Sequence, residues 1–517
     1  MVRARAGFSR ARRLPIMSPN QADFPALPRS PADLARRAEL IAYFDAKASE
    51  REFWKQKNNY YHEAVTKIVG GLVPPGLKVL ELGSGAGDLL ASLKPSRGVG
   101  IDFSSKMVAL ARARHPELEF VEGDAEELPL TEAFDVVILS DLVGSVGDVW
   151  RVFRELKKVS RADTRVILTY YNNLWEPILQ IGERLGLKMR QPQQSWLPLR
   201  DLVNMLELAG FESVKQGKNL LLPVYVRVLS SVLNRFVAPL PWIENLGLLT
   251  YLVARPKPAA REYSVTVVVP CRDEADNIAP LVERLPLWSA GTELIFVDGA
   301  SKDGTVARVE EAIARGRKGL DIRLLHQPKP KGKSEAVHIG FREAKNDILM
   351  ILDADLTVQP EDLQKFYLIM AEGRGEFVNG SRLTYPMRER AMRFLNLIGN
   401  RFFTTLVSWL LGQRVRDTLC GTKVFFRRHY ADLLAVRAEI GPLDPFGDFE
   451  MLFGASYSNL KIVELPVRYH ERTYGVTKIS RFSHGFQLLW MCWVVMLKLK
   501  FPFARNRSQA IRGSLPG

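Results

Sequence analysis

Short apolar runs that stop at a carboxylate or a turn, separated by helical patterns, recur in two series along this chain. That alternation constrains the fold more than any other feature. The first series is Lys78–Leu82, Gly98–Asp102, Glu119–Glu122, Phe134–Ser140 and Arg165–Tyr170, with helical spacing over Ser105–Arg114 and Val149–Val159. The second is Val265–Pro270, Glu293–Asp298, Ile322–His326 and Ile348–Asp353. Strands that follow one another through helices predict a parallel sheet with crossover connections, so the fold class is α/β, twice over. Between the series, the stretch from Arg255 to Glu262 holds Pro256 and Pro258 among polar residues and continues neither helix nor strand. The halves do not repeat each other's motifs, which makes the chain a fusion and not a duplication. Its 517 residues suit two or three domains, at roughly 100–200 residues each. The expected divisions are a basic, disordered arm over 1–40, a domain over 41–255, a linker over 256–262, a domain over 263–485 and a tail over 486–517.

The run Val79-Leu-Glu-Leu-Gly-Ser-Gly-Ala-Gly-Asp88 is a strand followed by a glycine turn. Gly83, Gly85 and Gly87 permit close backbone approach to a ligand, and the following helix offers free N–H groups. Asp102 closes the next strand, where a carboxylate accepts ribose hydroxyls. Asp124 closes the third and Asp141 the fourth. All of these lie outside the carboxyl ends of strands, where open α/β sheets bind ligands. A dinucleotide oxidoreductase is the alternative fold reading, although the Gly-x-Gly-x-Gly spacing differs from Gly-x-Gly-x-x-Gly.

This set, in this order, resembles the class I S-adenosylmethionine-dependent methyltransferases, with their Rossmann-like fold, over about residues 60–255. The resemblance implies S-adenosyl-L-methionine as cofactor. Glu81, Gly83 and Gly85 would cradle its methionine end, Asp102 its ribose, and Asp124 would sit by the adenine. The methyl acceptor is not legible. Tyr170, Tyr171, Asn172 and Trp175 either line an acceptor pocket or are packing and loop residues. In-line positioning of the sulfonium methyl is the main requirement, so no nucleophile or base need stand out. A binding module without turnover is the non-catalytic reading of this half.

In the second series, Val265 to Asn277 runs through Pro270, Arg272 and Glu274, and the next strand ends at Asp298 before Gly-Ala-Ser301. Asp353 and Asp355 follow an apolar run, one residue apart. Carboxylates so placed can hold Mg²⁺ or Mn²⁺ together with the oxygens of a nucleotide diphosphate. Such a cation neutralises a leaving group as a sugar bond breaks.

With Asn379-Gly-Ser-Arg382, the Asp417–Lys423 segment, Gly447-Asp-Phe-Glu450 and the Glu464–Arg481 segment, this half resembles family-2 glycosyltransferases of the GT-A fold. Within them it resembles the dolichyl/polyprenyl-phosphate mannose synthases, over about residues 263–485. The resemblance implies a nucleotide pocket of Pro270, Arg272, Glu274 and Asp298, with Asp303 shaping the turn and Lys333 on a basic loop. Asp353 and Asp355 would hold the metal. Arg382, Arg468 and Arg472 would meet a diphosphate or an acceptor phosphate, to which the guanidinium fork is suited. Asp448 and Glu450 would serve as base or orient the sugar, or else cap a loop. His470 is either an acid–base candidate or a packed histidine. Asp298-Gly-Ala departs from the usual pattern of two acids before that glycine.

The resemblance implies transfer of a hexose, with inversion, from a GDP- or UDP-hexose to a polyprenyl phosphate or other lipid-linked acceptor. A hydroxyl acceptor in surface polysaccharide or glycolipid synthesis is the alternative. The net charge of +15 favours anionic partners. No zinc-finger, homeodomain-like or RNA-binding signature is present, so nucleic acid is not expected. The odd, scattered cysteines Cys271, Cys420 and Cys492 suit a reducing cytoplasm. No run reaches the ~18 apolar residues of a spanning helix. Met392–Leu411 and Phe486–Phe503 are apolar stretches framed by lysine and arginine. They fit amphipathic helices lying in a membrane interface, or else core or dimer-forming helices of a homo-oligomer. The expected location is therefore the cytoplasmic face of a membrane, peripherally bound.

Overall fold

The computed structural model describes residues 31–192, 194–328, 332–382, 394–418, 420–434, 447–468 and 489–496. The first half folds around β1 (Lys78–Leu82), β2 (Arg97–Asp102), β3 (Glu119–Glu122), β4 (Phe134–Ser140), β5 (Ser160–Tyr171), β6 (Phe211–Asn219) and β7 (Leu249–Pro256). They form one sheet in the order β3-β2-β1-β4-β5-β7-β6. β7 alone runs antiparallel to its neighbours. The parallel strands read as continuous apolar runs because both faces are covered. Along β4, Phe134, Val137 and Leu139 enter one core, while Val136 and Ile138 enter the other.

The second sheet contains β8 (Val265–Cys271), β9 (Thr292–Asp298), β10 (Asp321–His326), β11 (Ile348–Ile351), β12 (Phe377–Ser381), β13 (Lys423–Phe426) and β14 (Ile462–Pro466). Its order is β10-β9-β8-β11-β13-β12-β14, with β13 antiparallel to β11 and β12. Val265, Val267 and Val269 of β8 face one core and Val268 the other. The chain therefore forms two α/β domains, each built on an open, mostly parallel sheet with a core on both faces.

In each sheet the chain steps outward through three strands and then returns to the other side of the first. That places a crevice between β1 and β4, and another between β8 and β11. Such switch points are where open sheets bind ligands.

Several expected boundaries move. The expected arm over 1–40 contains the start of a helix, Pro31–Lys47. Leu40 of this helix is buried and its Arg37 pairs with Asp124, while residues 1–30 lie outside the described residues. β5 starts earlier than its apolar run because polar Thr164 bonds the Phe134 carbonyl across a bulge. β11 ends at Ile351, before the paired acids. Of the C-terminal stretch 486–503, the structure describes a helix over 489–496, and the rest lies outside the described residues. Among the described residues, no helix is long and apolar enough to cross a membrane.

The domains meet through buried charge. The Arg165 guanidinium donates to both Glu376 oxygens, at 2.7 and 2.8 Å. Arg255 lies 3.1 Å from the same carboxylate and 2.7 Å from Glu212. Lys461 pairs with Glu212, and its backbone N–H donates to Glu376 at 2.9 Å. Burial would raise the Glu376 carboxyl, but Arg165, Arg255 and His429 pull it down to about 2. From its ordinary 4.5, the stabilisation is complete above that pH and is lost as the pH falls towards 2. Glu376→Ala strands two buried arginines and should cost about 3–5 kcal/mol. Equilibrium denaturation at pH 7 checks this, and an unchanged midpoint would remove the cluster from the interface's energetics.

Candidate active sites

At the first crevice the glycine turn follows β1 directly. Gly83, Gly85 and Gly87 have φ of +70°, +50° and +78°, a region costly for other residues. A Cβ on Gly87 would lie 2.4 Å from the Phe120 ring. The Asp102 carboxylate accepts the N–H of Gly85 at 2.8 Å and of Ser104 at 2.9 Å, which ties β2 to the turn. Glu81 is buried and accepts the Leu90 N–H at 3.1 Å. Burial pushes its carboxyl up to about 8, against the pull of that hydrogen bond. Asp124 accepts Arg37 at 2.7 Å and the Glu126 N–H at 2.9 Å. The structure thus brings Glu81, Gly83, Gly85, Asp102 and Asp124 to one end of one sheet. Beside Asp124 opens a cavity of about 230 Å³ lined by Arg37, Leu40, Phe103, Leu142 and Asp148.

Residues 43–61, which were not anticipated, cover this crevice together with Asp141 and Tyr171. Arg51 stands 3.1 Å from the position of a Cβ on Gly85. Asp45 accepts the Ser104 hydroxyl at 2.5 Å, and Phe44 meets the Phe103 ring edge-on. Asp141 accepts the Tyr61 hydroxyl at 2.9 Å, and burial raises its carboxyl to about 6. Tyr171 lies between Tyr61 and Trp196, with ring centroids 5.3 and 6.2 Å away. Nothing in the local pattern of residues 43–61 marks them, because the contacts span long sequence distances.

At the second crevice Asp353 and Asp355 follow β11. Lys333 lies 2.5 Å from the Asp353 carboxylate. Asp355 is buried and accepts the Thr357 N–H and hydroxyl at 3.1 and 2.7 Å. Gly421 arches over Asp353, and a Cβ there would lie 2.3 Å from the carboxylate and 2.4 Å from the Lys333 ammonium. The Asp353 side chain keeps 30% of its surface exposed, so this hard carboxylate could take a divalent cation that draws further ligands from a substrate. Among the described residues, no group of three or more His, Cys, Asp or Glu surrounds such a position.

Asp298 is buried, and its carboxylate accepts the N–H groups of Ala300 and Ser301 at 3.1 and 3.2 Å. Asp303 accepts the Ala275 and Thr305 N–H groups, joining the first two loops. Glu274 accepts the Asn277 amide at 2.7 Å, while Pro270 lies within β8, which runs on to Cys271, and Arg272 is exposed. The guanidinium fork of Arg382, expected to face phosphate, is held by both oxygens of Asp417 at 2.7 and 2.9 Å. Glu450 is buried against His338 at 2.5 Å, and His338 in turn meets the Tyr430 hydroxyl at 3.0 Å. That histidine sits on the helix Lys333–Glu343 and was not anticipated. Asp448 opens the helix Asp448–Tyr457, with its side chain outside the described residues. Arg472 and His470 also lie outside them.

Two open sheets, each with a glycine-bearing turn and acids at its switch point, define a two-site α/β transferase. Residues 266–434 match the family model described as glycosyl transferase family 2, and residues 80–168 the one described as methyltransferase domain. An uncharacterized glycosyltransferase of Mycobacterium bovis is 30% identical over 226 residues, 43% of this chain and 92% of that protein. The dolichol-phosphate mannosyltransferase of Saccharomyces cerevisiae is 42% identical over 111 residues, 20% of this chain and 40% of that protein. A crystal structure of an S-adenosylmethionine-dependent methyltransferase from Thermotoga maritima aligns over 42% of this chain and all of its own length. It does so at 20% identity with a TM-score of 0.34. Through its second half the chain belongs to glycosyl transferase family 2, and its first half is a methyltransferase domain.

The raised Glu81 carboxyl also affects stability. Its folded value near 8 lies above its ordinary 4.5, so folding loses stability as pH rises between them. Glu81→Gln should therefore gain stability over the wild type at pH 9 and leave it unchanged at pH 4. The gain should be several kcal/mol, because each tenfold change in proton affinity is worth about 1.4 kcal/mol. Denaturation curves at the two pH values check this, and equal stabilities at pH 9 would mean that Glu81 ionises normally.

Proposed function

We propose that the second domain transfers a hexose, with inversion, from a GDP- or UDP-hexose to a polyprenyl phosphate or related lipid-linked acceptor. The first domain binds S-adenosyl-L-methionine and donates its methyl group to an acceptor still to be identified. The observation that carries the first part is the position of Asp353 and Asp355 just past β11 at the β8/β11 crevice, with Gly421 close over Asp353. The similarity to the yeast dolichol-phosphate mannosyltransferase supports the choice of acceptor, although the match spans 40% of that protein.

In this reading Asp353 and Asp355 hold Mg²⁺ or Mn²⁺, which when bound supplies positive charge to the departing diphosphate. Lys333 compensates Asp353 and adds a second cation on the same side. Asp298 and Asp303 brace the turns that frame the nucleotide. An acceptor phosphate is already ionised and needs no strong general base. That agrees with Glu450 being buried against His338, where it positions the helix Asp448–Tyr457. Asp353→Asn should abolish sugar transfer and leave S-adenosylmethionine binding unchanged. Product analysis by mass spectrometry over a nucleotide-sugar panel checks it, and full transfer in excess chelator would sink the metal.

For the first domain, Glu81 faces the turn expected to hold the cationic end of the methyl donor. A cation beside a carboxyl raised to about 8 favours its ionised form. Binding near pH 7 should therefore release protons. Calorimetry in two buffers of different ionisation heat measures the number, and zero release would place the donor's amino group elsewhere.

A further inference from the structure

The methyltransferase domain carries two segments with large apolar side chains that the described residues leave exposed. The helix Glu176–Arg184 has no buried residue. Leu174, Ile178, Ile181 and Leu185 follow one another at helical spacing, and each is between 54% and 68% exposed. An amphipathic helix ordinarily turns that face to the core; here it faces out. The second segment is the insert between β6 and β7, where Val228 is 67% and Trp242 87% exposed. Both hold left-handed backbone, with φ of +60° and +70°. For valine that is a genuine outlier, and such strain persists where it serves a purpose.

The two segments are joined. The Trp175 indole donates to the Leu246 carbonyl at 2.8 Å, and the Asn172 amide to the carbonyls of Asn245 and Gly247. The insert also reaches the second domain, where the Trp409 indole donates to the Pro239 carbonyl at 2.6 Å. Trp409 lies on the helix Phe394–Leu411, whose Phe402 is 54% exposed. On the neighbouring helix over 489–496, Trp490 and Trp493 are half exposed while Met491, Cys492 and Val495 enter the same core as Leu410.

We propose that the helix at 176–184 and the insert at 220–248 dock the methyltransferase domain onto an anionic lipid bilayer, as one surface with the helix Phe394–Leu411. A bilayer is favoured by charge: in and beside these segments Arg184, Arg190 and Arg227 are exposed, while the acids Glu176, Glu183 and Glu244 are half-buried and Glu183 is paired with Lys188, in a chain of net charge +15. It is also favoured by shape, because projecting tips that end in valine and tryptophan suit a fluid interface needing no complementary groove. The inference is independent of which sugar or methyl group is transferred. Both segments leave the sheet from the carboxyl ends of β5 and β6, the end that bears Asp141 and Tyr171.

Vesicle flotation of the full-length protein tests it, with phosphatidylglycerol–phosphatidylethanolamine vesicles. Two variants, Ile178→Ser/Ile181→Ser/Leu185→Ser and Val228→Ser/Trp242→Ser, should each lower the bound fraction at least ten-fold, with circular dichroism unchanged. Brominated lipid should quench the wild type more than Trp242→Phe, a single conservative change that does not depend on the multiple variants folding. No flotation of the wild type, undiminished flotation of both variants, or equal quenching in Trp242→Phe overturns the proposal. So does a lipid-free dimer that the variants dissolve, which would make a second copy the occupant. Loss of sugar transfer with flotation intact would count against the proposed enzymatic reading alone.

Discussion

Everything in the arrangement of the two domains depends on one buried carboxylate. Glu376 is fully buried and surrounded by Arg165 and Arg255 from the other domain. Isolated, any of these charges would cost several kcal/mol to bury. Together they neutralise one another, and backbone groups fill the remaining positions, with Arg165 donating to the Asn459 carbonyl and Arg255 to that of Gly373. The Asn459 amide returns the contact by donating to the Leu72 carbonyl at 2.9 Å. A junction of this kind is unforgiving of misalignment, because a small shift leaves a charge unpaired in a low dielectric. It specifies how the domains meet more strictly than an apolar patch would.

The location of that junction decides what the fusion can do. Glu376 immediately precedes β12 and Lys461 precedes β14, so the second sheet presents the amino ends of its strands. Arg165 lies in the early part of β5, and Arg255 at the end of the antiparallel β7, which is the same edge of the first sheet. Both crevices open at the opposite, carboxyl ends. The charge cluster therefore leaves both sites clear, and neither site borrows a residue from the other domain at that junction.

Much of this was legible in the sequence because buried parallel strands write themselves as apolar runs. β1, β3 and β4 fall where the pattern places them, and the glycine turn and the strand-end acids assemble as expected. The rest lacked a local signal. β6 reads Phe-Glu-Ser-Val-Lys-Gln-Gly-Lys-Asn, an edge strand whose pairing with β7 spans a long insert. The helix Pro31–Lys47 looks like a basic arm until Arg37 finds Asp124, a partner far along the chain. His338 sits in an unremarkable helical stretch, and its role follows from Glu450, more than a hundred residues later. The membrane reading fell on Met392–Leu411 and Phe486–Phe503, whereas the exposed apolar helix at 176–184 went unnoticed. Its spacing is that of a core helix, and only the fold reveals which way the face points.

The second crevice also explains why its charges pair internally. Lys333 with Asp353 and Arg382 with Asp417 are each within hydrogen-bond distance. The proposed diphosphate and cation would need both signs of charge close together in this crevice, and unpaired side chains there would be strongly hydrated. Pairing holds each side chain near its working position, so that binding exchanges one partner for another instead of ordering a free side chain from solution. Arg382 illustrates the logic: its fork is already planar and fixed by Asp417, and a phosphate offers the same bidentate geometry with more charge. Gly421 is the counterpart on the backbone side, since any larger residue would fill the space over Asp353 that such an exchange requires.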